Sequence, residues 1–260
     1  MGMCRKKLNL QKPIKTYMKQ HLNTFIIGLS IIIVAAILGS SYSSKYKQNQ
    51  TISVTGLGEE NFASDLIVWQ ANFSKRGTDL KAISAELNND RSKIKKYLTS
   101  KGISEKDIVF SSVSITKEFS NSYDEHGNFM SSYFTGYLLT QNLRIESKEV
   151  DKIETVSREV TELIDQNIEL TSLEPDYYYT KLAELKLKMI ENATKDAKER
   201  AEKIASNSGS SLGNLRNASM GVIQITAKNS AEDYSWGGSF NTSSKLKTAS
   251  ITIRLEYAID

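Results

Sequence analysis

The stretch that decides the fold runs from residue 51 to residue 74 and reads TISVTGLGEENFASDLIVWQANFS. Its second half alternates apolar and polar side chains with a period of two, which predicts a strand with one buried face. The residues expected on that face are Ile67, Trp69, Ala71 and Phe73. Gly56 and Gly58 stand between this strand and the one before it and predict a turn or a bulge. The globular part of the chain therefore begins with two strands.

Three amphipathic segments farther along predict helices, over residues 78–100, from Ser147 onward, and over about 179–208. Thr78 is the expected N-cap of the first. The segments alternate with strand patterns at 108–119, 134–147, 168–179, 220–227 and 249–259. This order predicts an α+β fold, with an antiparallel sheet packed by three helices. The middle βαββαβ stretch indicates a ferredoxin-like, split βαβ unit.

In the third predicted helix, the side chains of the apolar stripe become smaller toward the C-terminus, from leucine to alanine. The stripe residues are Leu182, Leu185, Met189, Ala193, Ala197, Ala201 and Ile204. Small side chains allow a helix to approach a sheet closely. Gly209 is expected to end the helix.

Toward the N-terminus, the sequence FIIGLSIIIVAAIL (residues 25–38) has no charged residue, and the preceding tail carries six lysines and arginines and no acid. This asymmetry predicts a single-pass inner-membrane protein with a cytoplasmic N-terminus and a periplasmic or extracellular domain. We expect a tail at 1–22, a transmembrane signal-anchor at 23–44, a linker at 45–50 and a domain at 51–260. The lipid bilayer would be contacted through residues 22–44. A cleaved signal peptide is the alternative, because the apolar core is short.

Charge and residue usage limit the chemistry of the exported part. Six of the 34 lysines and arginines lie in the tail, which leaves residues 23–260 with a net charge of about −2 and no basic surface for nucleic acid. Cys4 and His21 also precede the exported part, and His126 lies in a predicted turn. We therefore expect no cofactor, no metal site and no catalytic histidine or cysteine.

Three segments together resemble the SIMPL-domain proteins, a bacterial group that includes periplasmic and outer-membrane immunogens. They are ISVTGLGEENFASDLIVWQANF, GISEKDIVFSSVSITKEF and ATKDAKERAEKIASNSGSSLGNLRNAS, and the resemblance covers nearly all of residues 51–260. It implies an extracytoplasmic α+β protein of unsettled biochemical role, linked loosely to envelope stress and in one member to a large ring-like assembly. This chain looks like a membrane-anchored branch.

The segment 228–248 is long for a loop between two strands and carries Tyr234, Trp236 and Phe240 among glycine, serine and asparagine. Such a composition is typical either of a disordered loop or of an adaptable contact surface. We expect this loop, or the tip of the hairpin at 119–135, to contact a neighbouring subunit in a homo-oligomer.

Two classes of function follow from the sequence. The first is a non-enzymatic envelope protein that assembles with itself or binds a partner while tethered to the membrane. The alternative is an envelope hydrolase or small-ligand binder that uses carboxylates such as Asp65, Glu118 or Asp176 in a cleft. Converging carboxylates with a raised pKa would favour the alternative.

Overall fold

The computed structural model of the chain describes residues 12–47, 50–231 and 235–259. The α-helices are α1 Lys12–Lys47, α2 Leu80–Ser100, α3 Val150–Glu159 and α4 Leu182–Asn207. The strands are β1 Thr51–Ala63, β2 Leu66–Gly77, β3 Ile108–Phe110, β4 Ser114–Tyr123, β5 Phe129–Ser147, β6 Leu170–Ser172, β7 Asp176–Tyr178, β8 Leu212–Met220, β9 Gln224–Ala227 and β10 Leu246–Ile259. Short 3₁₀ helices cover Glu105–Asp107 and Val160–Gln166. The predicted α+β class, with three helices after an N-terminal apolar one, is confirmed.

Helix α1 contains the predicted apolar segment. Thr24–Tyr42 has a mean hydropathy of 2.3 and none of it is buried, so the segment is long and apolar enough to cross a membrane. The hydroxyl of Ser30 donates to the carbonyl of Ile26, which satisfies its hydrogen-bonding capacity inside the helix. The helix extends past both predicted ends of the span, and residues 1–11 of the basic tail, with Cys4, lie outside the described residues.

The chain divides into two compact units. The first comprises the chain up to Val54, the segment Lys198–Ala218 and the chain from Leu255 onward. In it, the amide of Ile259 donates to the carbonyl of Gln50 and the hydroxyl of Thr51 to Glu256. The second comprises Thr55–Ala197 and Ser219–Arg254.

The second unit contains a sheet in the order β3-β5-β2-β6. Its central pair, β2 and β5, is antiparallel from Ile67 opposite Ser147 to Gly77 opposite Tyr137. This strand order, with α2 and α3 in the connections, is that of the predicted split βαβ unit. All four residues predicted for the inner face of β2 are buried, and the core includes Leu87 and Ile94 of α2 and Ile153 of α3. The period-two interpretation is thus confirmed.

The strand predicted over 108–119 is broken into β3 and β4. Between them, Ser111 bonds to β5 through its side chain, because its hydroxyl oxygen accepts from the amide of Asn142. The amide group of Gln141 in turn donates to the carbonyl of Ser111 at 2.7 Å. The amide of Ser111 still donates to the carbonyl of Asn142, so side-chain bonds replace the ladder only in part at the point where β3 and β4 are separated. β4 then continues with the first half of β5 as the predicted long hairpin.

The other sheet has the order β1-β10-β8, and β9 also pairs with β10. The turn predicted at Gly56 and Gly58 is wrong, because β1 runs from Thr51 to Ala63 through both residues, and the alternative of a bulge stays a prediction. Both glycines face α4 instead. A Cβ atom at Gly56 would lie 2.2 Å from the carbonyl oxygen of Ala193, and one at Gly58 would lie 2.2 Å from that of Met189. The glycines therefore allow the helix backbone to approach the strand.

The ends of the helices differ from the prediction by a few residues. The N-cap of α2 is Asp79, not Thr78, and its carboxylate accepts from the amides of Lys81 and Ala82. Gly209, with φ of +74°, follows α4 as predicted. Along the predicted apolar stripe of α4, Ile204 is half-exposed, and Ala205 is buried in its place.

Candidate functional site

The side chain of Gln224 holds Ser235 and Ser239 in the loop after β9. The carboxamide oxygen of Gln224 accepts from the amides of Ser235 and Ser239 at 3.2 and 2.7 Å, and its nitrogen donates to the carbonyl of Ser235. The backbone of Ile225 then exchanges hydrogen bonds with Ser239 and Asn241. One side chain and a short stretch of pairing thus hold the loop along β9.

Trp236 lies at the end of this ordered segment and is fully exposed. With Leu57 of β1 and Val222, both about half-exposed, it lines an open cavity of about 550 Å³. The wall is completed by Gly221, Gln224, Ser235, Ser250, Ile251 and Thr252. The apolar side chains of Leu57, Val222 and Trp236 in the described lining favour an apolar group. We call it the Trp236 cavity.

Phe240 has a different environment from Trp236. The ammonium group of Lys247 lies 5.8 Å from the centre of its ring, within the range of a cation–π contact. Lys247 itself is buried and donates to the carbonyls of Tyr177 and Asn241. Phe240 is therefore part of the contact that closes the loop onto β7. Tyr234, the third predicted aromatic contact, lies outside the described residues.

The hairpin of β4 and β5 carries an exposed row of aromatic side chains. Phe119 pairs with Phe134 and Tyr123 with Phe129, and the ring centres are 5.9 and 6.1 Å apart in edge-to-face geometry. Each of these four side chains is between 44 and 59% exposed. We call this row, on one face of the two-stranded ribbon, the aromatic face.

The turn of this hairpin is held by Asp124. Its carboxylate accepts from the amides of His126 and Asn128 and from the side chain of Asn128, at 2.8 to 2.9 Å. These hydrogen bonds, that of the Asn128 side chain first, lower the pKa of Asp124. Gly127 has φ of +81°, as a tight turn requires. His126 is exposed here and contributes its backbone amide to the turn.

The three carboxylates of the alternative hypothesis lie on different elements. Asp65, between β1 and β2, accepts from the backbone amide and the hydroxyl of Thr180, both at 2.7 Å. Glu118 on β4 forms an ion pair with Arg76 at 2.7 Å, and Asp176 belongs to β7. Among the described residues, no group of three histidine, cysteine, aspartate or glutamate side chains is arranged to hold a metal ion.

Asp65 also lines a charged cleft of about 700 Å³ that includes the start of α3. Lys245 in this cleft bridges Asp151 and Glu154. Its hydrogen bond to Asp151, followed by that to Glu154, raises the pKa of Lys245. Burial alone would raise the pKa of Glu154, but the hydrogen bond from Lys245 and further favourable contacts outweigh it, so the pKa is lowered. Lys245 thus stabilises the charged form of Glu154.

The aromatic face was only partly foreseen from sequence. The hairpin was predicted, but its aromatic residues are separated by serines and asparagines in FSNSY and FMSSYF, and only the pairing register shows that they share one face. Register depends on bulges after Glu118 and Ser122, which have no local sequence signal. The sequence singles out Trp236 as a possible oligomer contact, which stays a prediction, and it gives no signal for the role of Gln224 in holding the loop.

Comparison with known proteins gives a family and no activity. No curated protein matches the chain. The family described as SIMPL, protein of unknown function (DUF541), matches residues 52–256, which is most of the chain. The strand with two glycines, the helix that packs on it and the split βαβ unit all lie within this match. The chain therefore belongs to the SIMPL family.

Proposed function

We propose that this chain is a membrane-anchored envelope protein without enzymatic activity, whose domain at 51–260 assembles with other copies of itself outside the cytoplasm. The basic tail at 1–22 and the apolar helix, which has the length and composition of a span, support this orientation. The observation that carries the self-assembly is the aromatic face of the hairpin.

The aromatic face exposes an unusual amount of apolar surface. Four aromatic side chains, each about half exposed, present on the order of 400 Å². A patch of this size on a monomer commonly marks an interaction site. A stable interface buries about 800 Å² on each partner, so the aromatic face supplies roughly half of one side.

A protein surface suits the aromatic face better than a lipid surface does. Asp124 and Glu125 lie at the tip of the hairpin, next to Tyr123. Inserting the tip into a bilayer would bring these carboxylates into the hydrocarbon region, at a cost of a few kcal/mol each. A second protein copy can cover the aromatic rings and leave the carboxylates in water. The loop at Trp236 and Phe240 is the second proposed contact surface, as the sequence led us to expect.

The test is the mass of the full-length chain in detergent, measured by native mass spectrometry and sedimentation. We expect the wild type to be larger than one copy. The double variant Phe119→Ser/Phe129→Ser, and separately Trp236→Ala, should shift the distribution toward the monomer. The matched control is Ile164→Ser/Leu187→Ser, which removes two exposed apolar side chains elsewhere and should leave the mass unchanged. A wild-type monomer at all concentrations would refute the proposal.

One observation favours the alternative of small-ligand binding. Ser64 is buried, its hydroxyl has no hydrogen-bond partner among the described residues, and it lines the charged cleft with Asp65. A ligand that reached this hydroxyl would satisfy it. The alternative predicts that inorganic phosphate, acetate or glycine raises the melting temperature of the wild type and not of Ser64→Ala. Equal melting curves with and without these probes would reject it for these ligand classes.

A further inference from the structure

The Trp236 cavity and the aromatic face are two apolar surfaces of the same chain that do not cover each other. Trp236 is fully exposed, and so is most of the surface of Phe129 and Met130 at the hairpin tip. We propose that Phe129 and Met130, beside the hairpin turn of one copy, occupy the Trp236 cavity of the next copy and leave the carboxylates of Asp124 and Glu125 in water. This inference rests on the proposed self-assembly and names the two surfaces that meet.

The chemistry of the cavity fits such a guest. Its described lining combines Leu57, Val222 and Trp236 with uncharged polar groups. Its volume of about 550 Å³ lies within the range of roughly 300–1,000 Å³ found for sites that enclose small apolar ligands. Two neighbouring side chains, one aromatic and one flexible thioether, form a group of that kind. Methionine adapts to irregular walls and makes favourable contacts with aromatic rings such as that of Trp236.

The hairpin tip can enter a neighbouring molecule because of how it is built. Among the strands that the structure describes, Ser114–Tyr123 pairs with β5 alone, and the half of β5 before Tyr137 pairs with β4 alone. The tip is therefore a two-stranded ribbon, narrow enough to reach into a cleft. Met130 is the extra residue of a bulge, since Ser122 pairs with Ser131 and Tyr123 with Phe129.

The tip is also ordered before it binds. The carboxylate of Asp124 accepts three hydrogen bonds within the turn, and the edge-to-face rings of Tyr123 and Phe129 fix the adjacent pair. In the receiving loop, the side chain of Gln224 accepts hydrogen bonds from the amides of Ser235 and Ser239. Two preformed surfaces lose less conformational entropy on association than two mobile loops would.

Because the tip and the cavity are different surfaces, the contact is heterologous. Each copy can donate its hairpin to one neighbour and receive the hairpin of another, so the assembly is not limited to a symmetric pair. A contact between two hairpins, or between two cavities, would instead be isologous. Cross-linking of distinct variants separates these arrangements.

The experiment uses the full-length chain in detergent, with Cys4→Ser as background so that no native thiol remains. One preparation carries Met130→Cys and an affinity tag, and the other carries Val222→Cys. Both positions are at least half exposed, so the fold should tolerate the change. After mixing and mild oxidation, we expect a covalent two-copy product in the mixture and not in either preparation alone. A third preparation with Leu187→Cys, exposed on α4, is the matched control for random collision.

Adding Trp236→Ala to the Val222→Cys chain should lower the yield about tenfold, a loss typical of a central interface aromatic. A yield no higher than with Leu187→Cys, while native mass spectrometry still shows an assembly, overturns this inference and leaves the proposed function standing. A cross-link in the Met130→Cys preparation alone, at the same yield as in the mixture, also overturns it. If every preparation is monomeric, both the inference and the proposed function fail.

Discussion

Replacing Gly56 by alanine tests the close approach of β1 and α4. In an unobstructed strand, alanine in place of glycine stabilises a protein by about 0.5–1 kcal/mol. At Gly56 the new Cβ atom would lie 2.2 Å from the carbonyl oxygen of Ala193 and 2.5 Å from the amide nitrogen of Ala197. Both are backbone atoms of a helix, so no side-chain rotation relieves the overlap.

To remove this overlap, α4 must move away from the strand by about 1 Å. The movement loosens the packing of Met189, Ala193 and Ala197, which are all fully buried. Overpacking of this kind costs about 1–3 kcal/mol. After subtraction of the gain from alanine, we therefore expect Gly56→Ala to lower the free energy of unfolding by about 1 kcal/mol net, which corresponds to a drop in melting temperature of about 2–4 °C for a domain of this size.

Tryptophan fluorescence of the full-length chain in detergent can follow the unfolding. Trp69 is fully buried whereas Trp236 is fully exposed, so a red shift on heating reports mainly on Trp69. Gly237→Ala is the matched control, because a Cβ atom there meets nothing within 4 Å and the residue has no positive φ. It should change the free energy of unfolding by less than about 0.5 kcal/mol. A Gly56→Ala chain that melts at or above the wild-type temperature would refute the close approach.

Two further predictions concern a helix cap and an ion pair. Asp79→Ala removes the acceptor for two backbone amides of α2 and should lower the free energy of unfolding by about 1 kcal/mol. The control Thr78→Ala should change it by less than about 0.5 kcal/mol. Equal effects of the two variants in thermal denaturation would contradict the assignment of Asp79 as the cap. The pKa of Glu154 lies below its usual 4.5, so its contribution to stability is complete above that pH and is lost as the pH falls through the folded-state value; urea unfolding at neutral and acid pH measures this loss. Lys245→Met should raise the pKa of Glu154, because burial raises this pKa and the contacts with Lys245 that lower it are lost. An unchanged NMR titration curve of Glu154 would exclude Lys245 as the main stabilising partner.

The regular parts of the fold follow from local patterns, and the exceptions come from distant contacts. The buried face of β2 was predictable because its period of two is intrinsic to the strand. The alanine stripe of α4 correctly indicated close packing, but its partners, Gly56 and Gly58, lie more than 130 residues earlier. Two glycines separated by one residue also occur in turns, so the sequence alone favoured the wrong local structure.

In the candidate functional site, too, some features follow from the local sequence and others depend on distant contacts. Exposed aromatic residues in a polar loop were enough to single out Trp236. The cavity beside it could not be foreseen, because its wall combines Leu57 of β1 with Val222 and Thr252, which lie 165 and 195 residues farther along the chain. The break between β3 and β4 is similar, since it depends on side-chain bonds from Ser111 and Gln141 across two strands.

The pairing of β1 with β10 joins the first strand of the chain to the last. Contacts between residues about 190 apart in sequence form late, because the entropy of closing so long a loop must be offset first. The split βαβ unit, from β2 to β6, closes through shorter loops and can fold while the rest of the chain is still being synthesised. If the domain is translocated across a membrane, β1 emerges first and remains without its partner until the last strand has followed. An unpaired strand edge can pair with other chains, so in that case β1 would be open to such pairing until β10 has followed.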